Sequence, residues 1–297
     1  MRSLVAVDWG TSSLRAARLD ADGRVLDERA LPRGILTVPP GGFPAVFQEA
    51  CGDWMGRPGA LALICGMAGS RQGWVEAPYC PCPAGFADVA ARLAWIEPGR
   101  IAIVPGLSCE DRGVPDVLRG EETQVFGALG LLGIDDGLLV LPGTHSKWVR
   151  VAAGRIESFS TFMTGEIYAL LRQHSILART MPEADGELQP RAFLRGVEHA
   201  LRSATLLHAA FSARTLSLFD RLPAPALPSY LSGLVIGEEL RSQDLAALSG
   251  PLIVVGSEAL TERYELALRT MGLAARRAGS QATWHGLRAI AGTLEGT

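Results

Sequence analysis

The chain has 297 residues, 48% of them hydrophobic, enough apolar content to fill two cores rather than one. Its net charge of -3, with acids and bases interspersed, leaves no basic stripe for a nucleic-acid partner. No apolar run approaches the roughly 18 residues of a bilayer span, and Asp8 interrupts the opening stretch before it could serve as a signal segment, so a cytoplasmic chain without a membrane partner is expected.

Strands are predicted near 4–8, 13–20 and 24–30, the last two joined by the Asp22-Gly23 turn signal. A Pro/Gly-rich stretch from Leu31 to Pro44 breaks that pattern. An amphipathic helix at about 45–55 follows, then a strand at Ala60–Cys65, a glycine-rich loop through Tyr79, a helix near 85–95 and a strand at Ile101–Val104. Asp116–Leu129 reads as one helix whose acidic residues suit its positive dipole end. Further strands are expected at 138–142, 145–152 and 155–162. Thr164-Gly165-Glu166 opens a mostly helical stretch that runs to about Gln243, interrupted at Leu222–Pro228. Pro251–Val255 reads as a short buried strand, Glu258–Met271 as a helix, with a strand near 274–277 and a helix near 282–294 to finish.

One pattern is written twice in this order. Leu4–Arg15 and Leu138–Arg150 are each an apolar strand, a Gly-Thr-x-Ser turn and a second strand, continuing into a third. The expected fold is therefore α/β, two domains each built as βββαβαβα, with a helical insertion enlarging the second. Glycine lets the backbone approach a ligand closely, and successive N–H groups with Thr and Ser hydroxyls present donors to anionic oxygens. Gly10-Thr11-Ser12 and Gly143-Thr144-His145-Ser146-Lys147 are thus candidate phosphate turns, which points to an ATP-dependent phosphotransferase. Asp8, ending the first strand, either holds Mg²⁺ beside the phosphates or caps the turn. Lys147 is the single lysine in a chain with 27 arginines. It either neutralises phosphate or substrate charge or alternates outward into solvent. Because it follows Ser146, a Walker-type P-loop is excluded.

The loop after the fourth strand gathers Ser70, Arg71, Gln72, Trp74, Glu76 and Tyr79, the composition of a polar-ligand site, though a surface loop could hold the same residues. Thr164 and Glu166 are substrate candidates that N-capping would also explain. Glu121 and Glu122 could supply the base that accepts a proton from an attacking hydroxyl, or could simply complement the helix dipole. The five cysteines, Cys51, Cys65, Cys80, Cys82 and Cys109, form no Cys-x-x-Cys pair and are expected to be free thiols.

Asp8-x-Gly-Thr-x-Ser, the second Gly-Thr turn and the late strand-Gly-Ser-helix resemble the actin-like ATPase and sugar-kinase superfamily. Five segments resemble, within it, the 2-dehydro-3-deoxygalactonokinase family: Val7–Thr11, Gly66–Trp74, Arg119–Gln124, Leu141–Trp148 and Thr161–Glu166. The resemblance implies two ribonuclease H-like domains, 1–118 and 119–297, with an active-site cleft between them and the last helix at the hinge. It implies a kinase of galactonate catabolism that uses ATP and Mg²⁺ to phosphorylate the 6-hydroxyl of a 2-keto-3-deoxy sugar acid. Asp8 and the two turns would serve the phosphates, and Gly256-Ser257 the adenosine. Relatives carry two or three consecutive glycines at that last position, where this chain has one. They also carry an Asp where this chain has Glu121, the best candidate base, with Glu122 as the alternative. A homodimer is allowed for, and two other readings stay open: a Schiff-base enzyme built on Lys147, of aldolase or pyridoxal-phosphate type, and a nucleotide-dependent regulatory protein.

Overall fold

The computed structural model describes residues 3–245, 248 and 250–294. Strands β1 (Leu4–Trp9), β2 (Leu14–Leu19) and β3 (Val25–Leu31) form the first meander. After α1 (Phe43–Met55) come β4 (Leu61–Gly66), β5 (Cys80–Pro81), α2 (Phe86–Ala90), β6 (Ala94–Glu97) and β7 (Ile101–Ile103). A hairpin of β8 (Leu107–Asp111) and β9 (Val114–Leu118) leads into α3 (Glu121–Leu132). The second meander is β10 (Gly137–Leu141), β11 (Ser146–Ala152) and β12 (Arg155–Phe162). The helical insertion comprises α4 (Thr164–His174), α5 (Pro190–Arg202), α6 (Leu206–Ala209), α7 (Ser212–Leu218) and α8 (Leu227–Arg241). The chain then runs through β13 (Leu252–Val255), α9 (Glu258–Thr270), β14 (Arg276–Ala278) and α10 (Ala282–Thr293).

The fold is mixed α/β, and the written repeat is also a repeat of topology. One sheet runs β3-β2-β1-β4-β7-β6 and another β12-β11-β10-β13-β14, so both begin with the same 3-2-1-4 order. In the first, β1 pairs antiparallel with β2 and parallel with β4. Both faces of a central parallel pair are covered, which is why β4 is buried along its whole length and β1 nearly so. A core of Trp9, Phe43, Phe47 and Trp54 with the apolar residues of β1 and β4 fills one face.

By compactness the chain divides into one unit of residues 1–139, 149–160 and 278–297, and a second of 140–148 and 161–277. In the first, α10 lies on α3 so closely that a Cβ added to Gly127 would stand 1.7 Å from the Ala282 carbonyl oxygen, and one on Gly286 1.8 Å from that of Thr123. Glycine at both positions is what permits the crossing. In the second, α5 and α8 enclose a separate core around Tyr230, Leu231 and Leu234.

Two predicted helices are corrected. The stretch near 85–95 is helical only over Phe86–Ala90 and then becomes β6, an antiparallel partner of β7. The helix expected from Asp116 starts at Glu121, because Val114–Leu118 is a strand paired with β8. Arg112 (φ 51°) and Gly113 (φ 82°) make the tight reversal between them, as two-residue hairpin loops require. All five cysteines are free thiols. Among the described residues, no helix is long and apolar enough to cross a membrane.

Candidate active site

In the first unit the site residues gather at the ends of β1 and β4. Asp8 lies opposite Arg15 on β2, whose guanidinium donates to Asp8 Oδ2 at 2.6 Å. Its other neighbour is Cys65 on β4. Gly10, Thr11 and Ser12 form the reversal, closed by the Gly10 N–H to the Ser13 carbonyl at 2.9 Å. The Gly10 and Thr11 carbonyls accept from the Ile35 and Leu36 amides, so the Pro/Gly-rich stretch braces this turn. Thr11 and Ser12 are exposed.

The start of α3 sits against the same strand ends. Gly66 (φ 88°) and Gly120 (φ 102°) meet here: a Cβ on Gly120 would lie 3.2 Å from the Gly66 Cα, in conformations that side chains disfavour. Glu121 accepts from the Arg119 amide at 2.9 Å, and Glu122 from the Gly120 amide at 2.6 Å, so both acids engage the helix start. They differ in access. Glu122 is wholly buried with its Oε1 unpartnered, and burial, followed by the charge of Glu121, pushes its carboxyl up to about 8. Glu121 is half-buried. The Cys65 thiol is held well above its ordinary range by burial, then by the charges of Asp8 and Glu122.

The polar loop after β4 is less uniform than its composition. Arg71 is 88% exposed and pairs with Glu76 at 3.1 Å. Gln72 and Tyr79 are exposed as well, while Ser70 turns back to the Met67 carbonyl at 2.8 Å. Trp74 is half-buried, stacked on Phe43 and set against Trp9 and Phe47, so its ring anchors the loop to the core. Arg119 lies over the Tyr79 ring at 4.4 Å and donates to the Ala77 carbonyl at 2.8 Å, tying the loop to the start of α3.

In the second unit, Gly143, Thr144 and His145 make the corresponding reversal. His145 Nε2 lies 2.5 Å from Glu166 Oε2, and the Glu166 amide donates to the Thr144 carbonyl at 3.0 Å. Lys147 does not alternate into solvent: it is 5% exposed, with Nζ directed back to the His145 carbonyl at 3.4 Å. Ser146 and Thr164 are buried, Ser146 against the Tyr264 hydroxyl and Thr164 against Glu239. Gly256 and Ser257 link β13 to α9, with Gly256 beside Pro142. Next to them is a pocket of about 230 Å³. Pro142 and Gly143 form one side, Ala259, Leu260 and Arg263 of α9 another, and Tyr168 and Val235 contribute to the rest.

The family model for 2-keto-3-deoxy-galactonokinase matches residues 8–290. The chain belongs to the 2-keto-3-deoxy-galactonokinase family. It is 40% identical over 280 residues to a Rhizobium meliloti protein named "Probable 2-dehydro-3-deoxygalactonokinase DgoK1", covering 91% of this chain and 90% of that one. It is 35% identical to the Escherichia coli 2-dehydro-3-deoxygalactonokinase, covering 97% of each. A Sinorhizobium meliloti crystal structure described under the same activity superposes with a TM-score of 0.89 at 38% identity, over 98% and 99% of the two chains. Membership of a kinase family supports the phosphotransferase reading over the Schiff-base and regulatory alternatives.

Several residues packed around the candidate site residues were not singled out by the sequence reading. Arg15 and Arg119 were hidden among many arginines. Glu239 had a visible signal, as the one charged residue among the buried residues of α8. Tyr264, Arg263 and Tyr168 lay on helices read only as scaffold.

Proposed function

We propose that this chain transfers the γ-phosphoryl group of ATP to the terminal 6-hydroxyl of 2-dehydro-3-deoxy-D-galactonate, giving the 6-phosphate in galactonate catabolism. The observation that carries this reading is the repeated 3-2-1-4 strand order with a Gly-Thr turn after the first strand of each copy, in a chain of this family. The same order supports two ribonuclease H-like halves of actin-like ATPase type, with 1–118 bearing most of the sugar-acid residues and the first phosphate turn, and 119–297 the second phosphate turn and the adenosine residues.

Gly10-Thr11-Ser12 and Gly143–Ser146 hold phosphate oxygens through backbone N–H groups and hydroxyls, and Lys147 offsets their charge. Adenosine occupies the pocket beside Gly256-Ser257, where apolar walls face the base and Arg263 supplies a polar edge. Ser70, Arg71, Gln72, Glu76 and Tyr79, with Glu166, recognise the sugar acid, while Trp74 and Thr164 brace those groups from beneath. Glu121 accepts the proton of the 6-hydroxyl, since its neighbour is enclosed.

Asp8 fits a hard cation. Arg15 engages one carboxylate oxygen, and Oδ1 lies on the Gly66 side. An ion here would be held by Asp8 together with phosphate oxygens and water. Mg²⁺ bound there would neutralise charge on the transferred group. An ATP-dependent step of this kind belongs in the cytoplasm.

The test is ATP consumption screened over aldonates, 2-keto-3-deoxy aldonates and neutral hexoses, with the phosphorylated position read by ³¹P NMR. Turnover should require a 2-keto-3-deoxy aldonate and place phosphate on O6. Consumption indifferent to the acceptor would overturn the reading.

A further inference from the structure

In the second compact unit, donors from three elements converge on one buried carboxylate. Trp148 of β11 donates its indole N–H to Glu239 Oε1 at 2.6 Å. Tyr264 of α9 donates to Oε2 at 2.7 Å, and Thr164, the first residue of α4, donates to the same oxygen. The Tyr264 hydroxyl also lies 2.9 Å from Ser146 Oγ. Glu239, Trp148, Tyr264, Thr164 and Ser146 are all buried. The preceding residue, Glu238, instead meets Arg241 at 2.6 Å near the surface.

A buried carboxylate is costly even when hydrogen-bonded, and an apolar side chain of similar volume would fill the same face of α8 without that cost. Burial indeed pushes the Glu239 carboxyl above its usual range, opposed by the hydrogen bonds from Thr164, Tyr264 and Trp148. What a glutamate offers that a leucine cannot is a shared acceptor for β11, α4 and α9. Those three elements frame one feature. Ser146 and Trp148 continue directly from the Gly143–His145 reversal, Thr164 begins the helix whose Glu166 amide binds the Thr144 carbonyl, and Thr164 and Tyr264 line the pocket with Pro142 and Gly143.

We infer that Glu239 is a positioning residue for the nucleotide: by holding Trp148, Thr164 and Tyr264 together it fixes the Gly143–Ser146 turn against the adjoining pocket. The inference rests on the reading of that turn as a phosphate site. Its chemistry distinguishes two substitutions. In Glu239→Gln the amide oxygen can still accept from Trp148, while the NH₂ group faces Thr164 and Tyr264 hydroxyls, which can accept as well as donate. In Glu239→Leu the Trp148 N–H, a donor only, has no partner.

The experiment measures kcat and KM for both substrates in the full-length protein carrying Glu239→Leu, Glu239→Gln, Tyr264→Phe, Glu238→Gln or Lys147→Met. Glu239→Leu should raise the KM for ATP roughly tenfold, the scale of a lost buried hydrogen bond, with the sugar-acid KM within about twofold of wild type. Glu239→Gln should restore most of the ATP affinity, Tyr264→Phe should raise the ATP KM by about threefold, and Glu238→Gln should match wild type. A purely structural role would lower the active fraction and leave both KM values alone. That outcome, or a parallel rise in both, overturns the proposal. If Glu239→Leu does not fold, the Tyr264→Phe split decides alone, and an unchanged ATP KM there overturns it. Lys147→Met separates the two levels. An ATP KM raised by Lys147→Met but untouched by the Glu239 and Tyr264 variants defeats only the positioning role, whereas one untouched by Lys147→Met defeats the phosphate-turn reading on which it stands.

Discussion

Asp8 and Arg15 are register partners across the first hairpin, and the Arg15 guanidinium holds Asp8 Oδ2 at 2.6 Å. Opposite residues of an antiparallel pair share a face, so this contact fixes the direction of the carboxylate at the end of β1. Asp8→Asn keeps the shape and the turn's N–H donors but removes the charge that anchors a cation. It should bind ATP within about threefold of wild type yet lose kcat by a factor on the order of 10³. Equilibrium ATP titration beside steady-state turnover checks this, and near wild-type kcat at saturating Mg²⁺ would remove Asp8 from the reaction.

Glu121 and Glu122 are adjacent on α3, so their side chains point roughly 100° apart. Only Glu121 retains solvent access. Glu121→Gln should lower kcat by a factor on the order of 10²–10⁴ with little change in either KM, while Glu122→Gln should be mild. The reverse ranking would move the base to Glu122. Two near wild-type variants would leave both acids as helix-start acceptors.

The enclosed Glu122 carries a separate signature in stability. Its folded-state value of about 8 lies above the usual 4.5, so between those limits the folded protein keeps a proton that the unfolded chain releases. The stabilising contribution is therefore complete below the unfolded value and is lost as pH rises through the folded one. Wild-type Tm should fall from about pH 5 to about pH 8.5, and Glu122→Gln should flatten that slope. Parallel slopes in the two proteins, measured by calorimetry, would count against a protonated Glu122.

Arg71 is free to meet a ligand because its tie to Glu76 is exposed. If it binds the sugar-acid carboxylate, Arg71→Ala should raise that KM by roughly tenfold or more and leave the ATP KM unchanged. An unchanged sugar-acid KM would shift attention to Arg119, whose Nε and Nη1 are buried without partners.

The α3–α10 crossing provides a test of packing. Gly127→Ala would drive a methyl group to within 1.7 Å of the Ala282 carbonyl oxygen, which the backbone can relieve only by moving. It should cost about 3 kcal/mol or more in denaturant unfolding. Gly130→Ala, three residues along the same helix and facing open space, should be neutral or stabilising by up to about 1 kcal/mol. Equal effects would mean that the crossing does not depend on its glycines.

The sequence alone determined the two meanders, their Gly-Thr turns and the closing strand-helix pairs, because apolar runs and glycine turn signals are local. Tertiary structure decided what depends on distant partners. Asp116–Leu118 looks helical next to Glu121 and Glu122, but belongs to a strand, Val114–Leu118, through pairing with β8. Lys147 could have been solvated, and is enclosed. Trp74 reads as a ligand-facing aromatic and is claimed by Phe43 and Trp9. Glu239 shows the reason most clearly: its donors are 91, 75 and 25 positions away in the chain, and only the packed fold brings them to one carboxylate. Periodicity records which face of an element is buried; which polar groups meet there depends on long-range packing that no local pattern encodes.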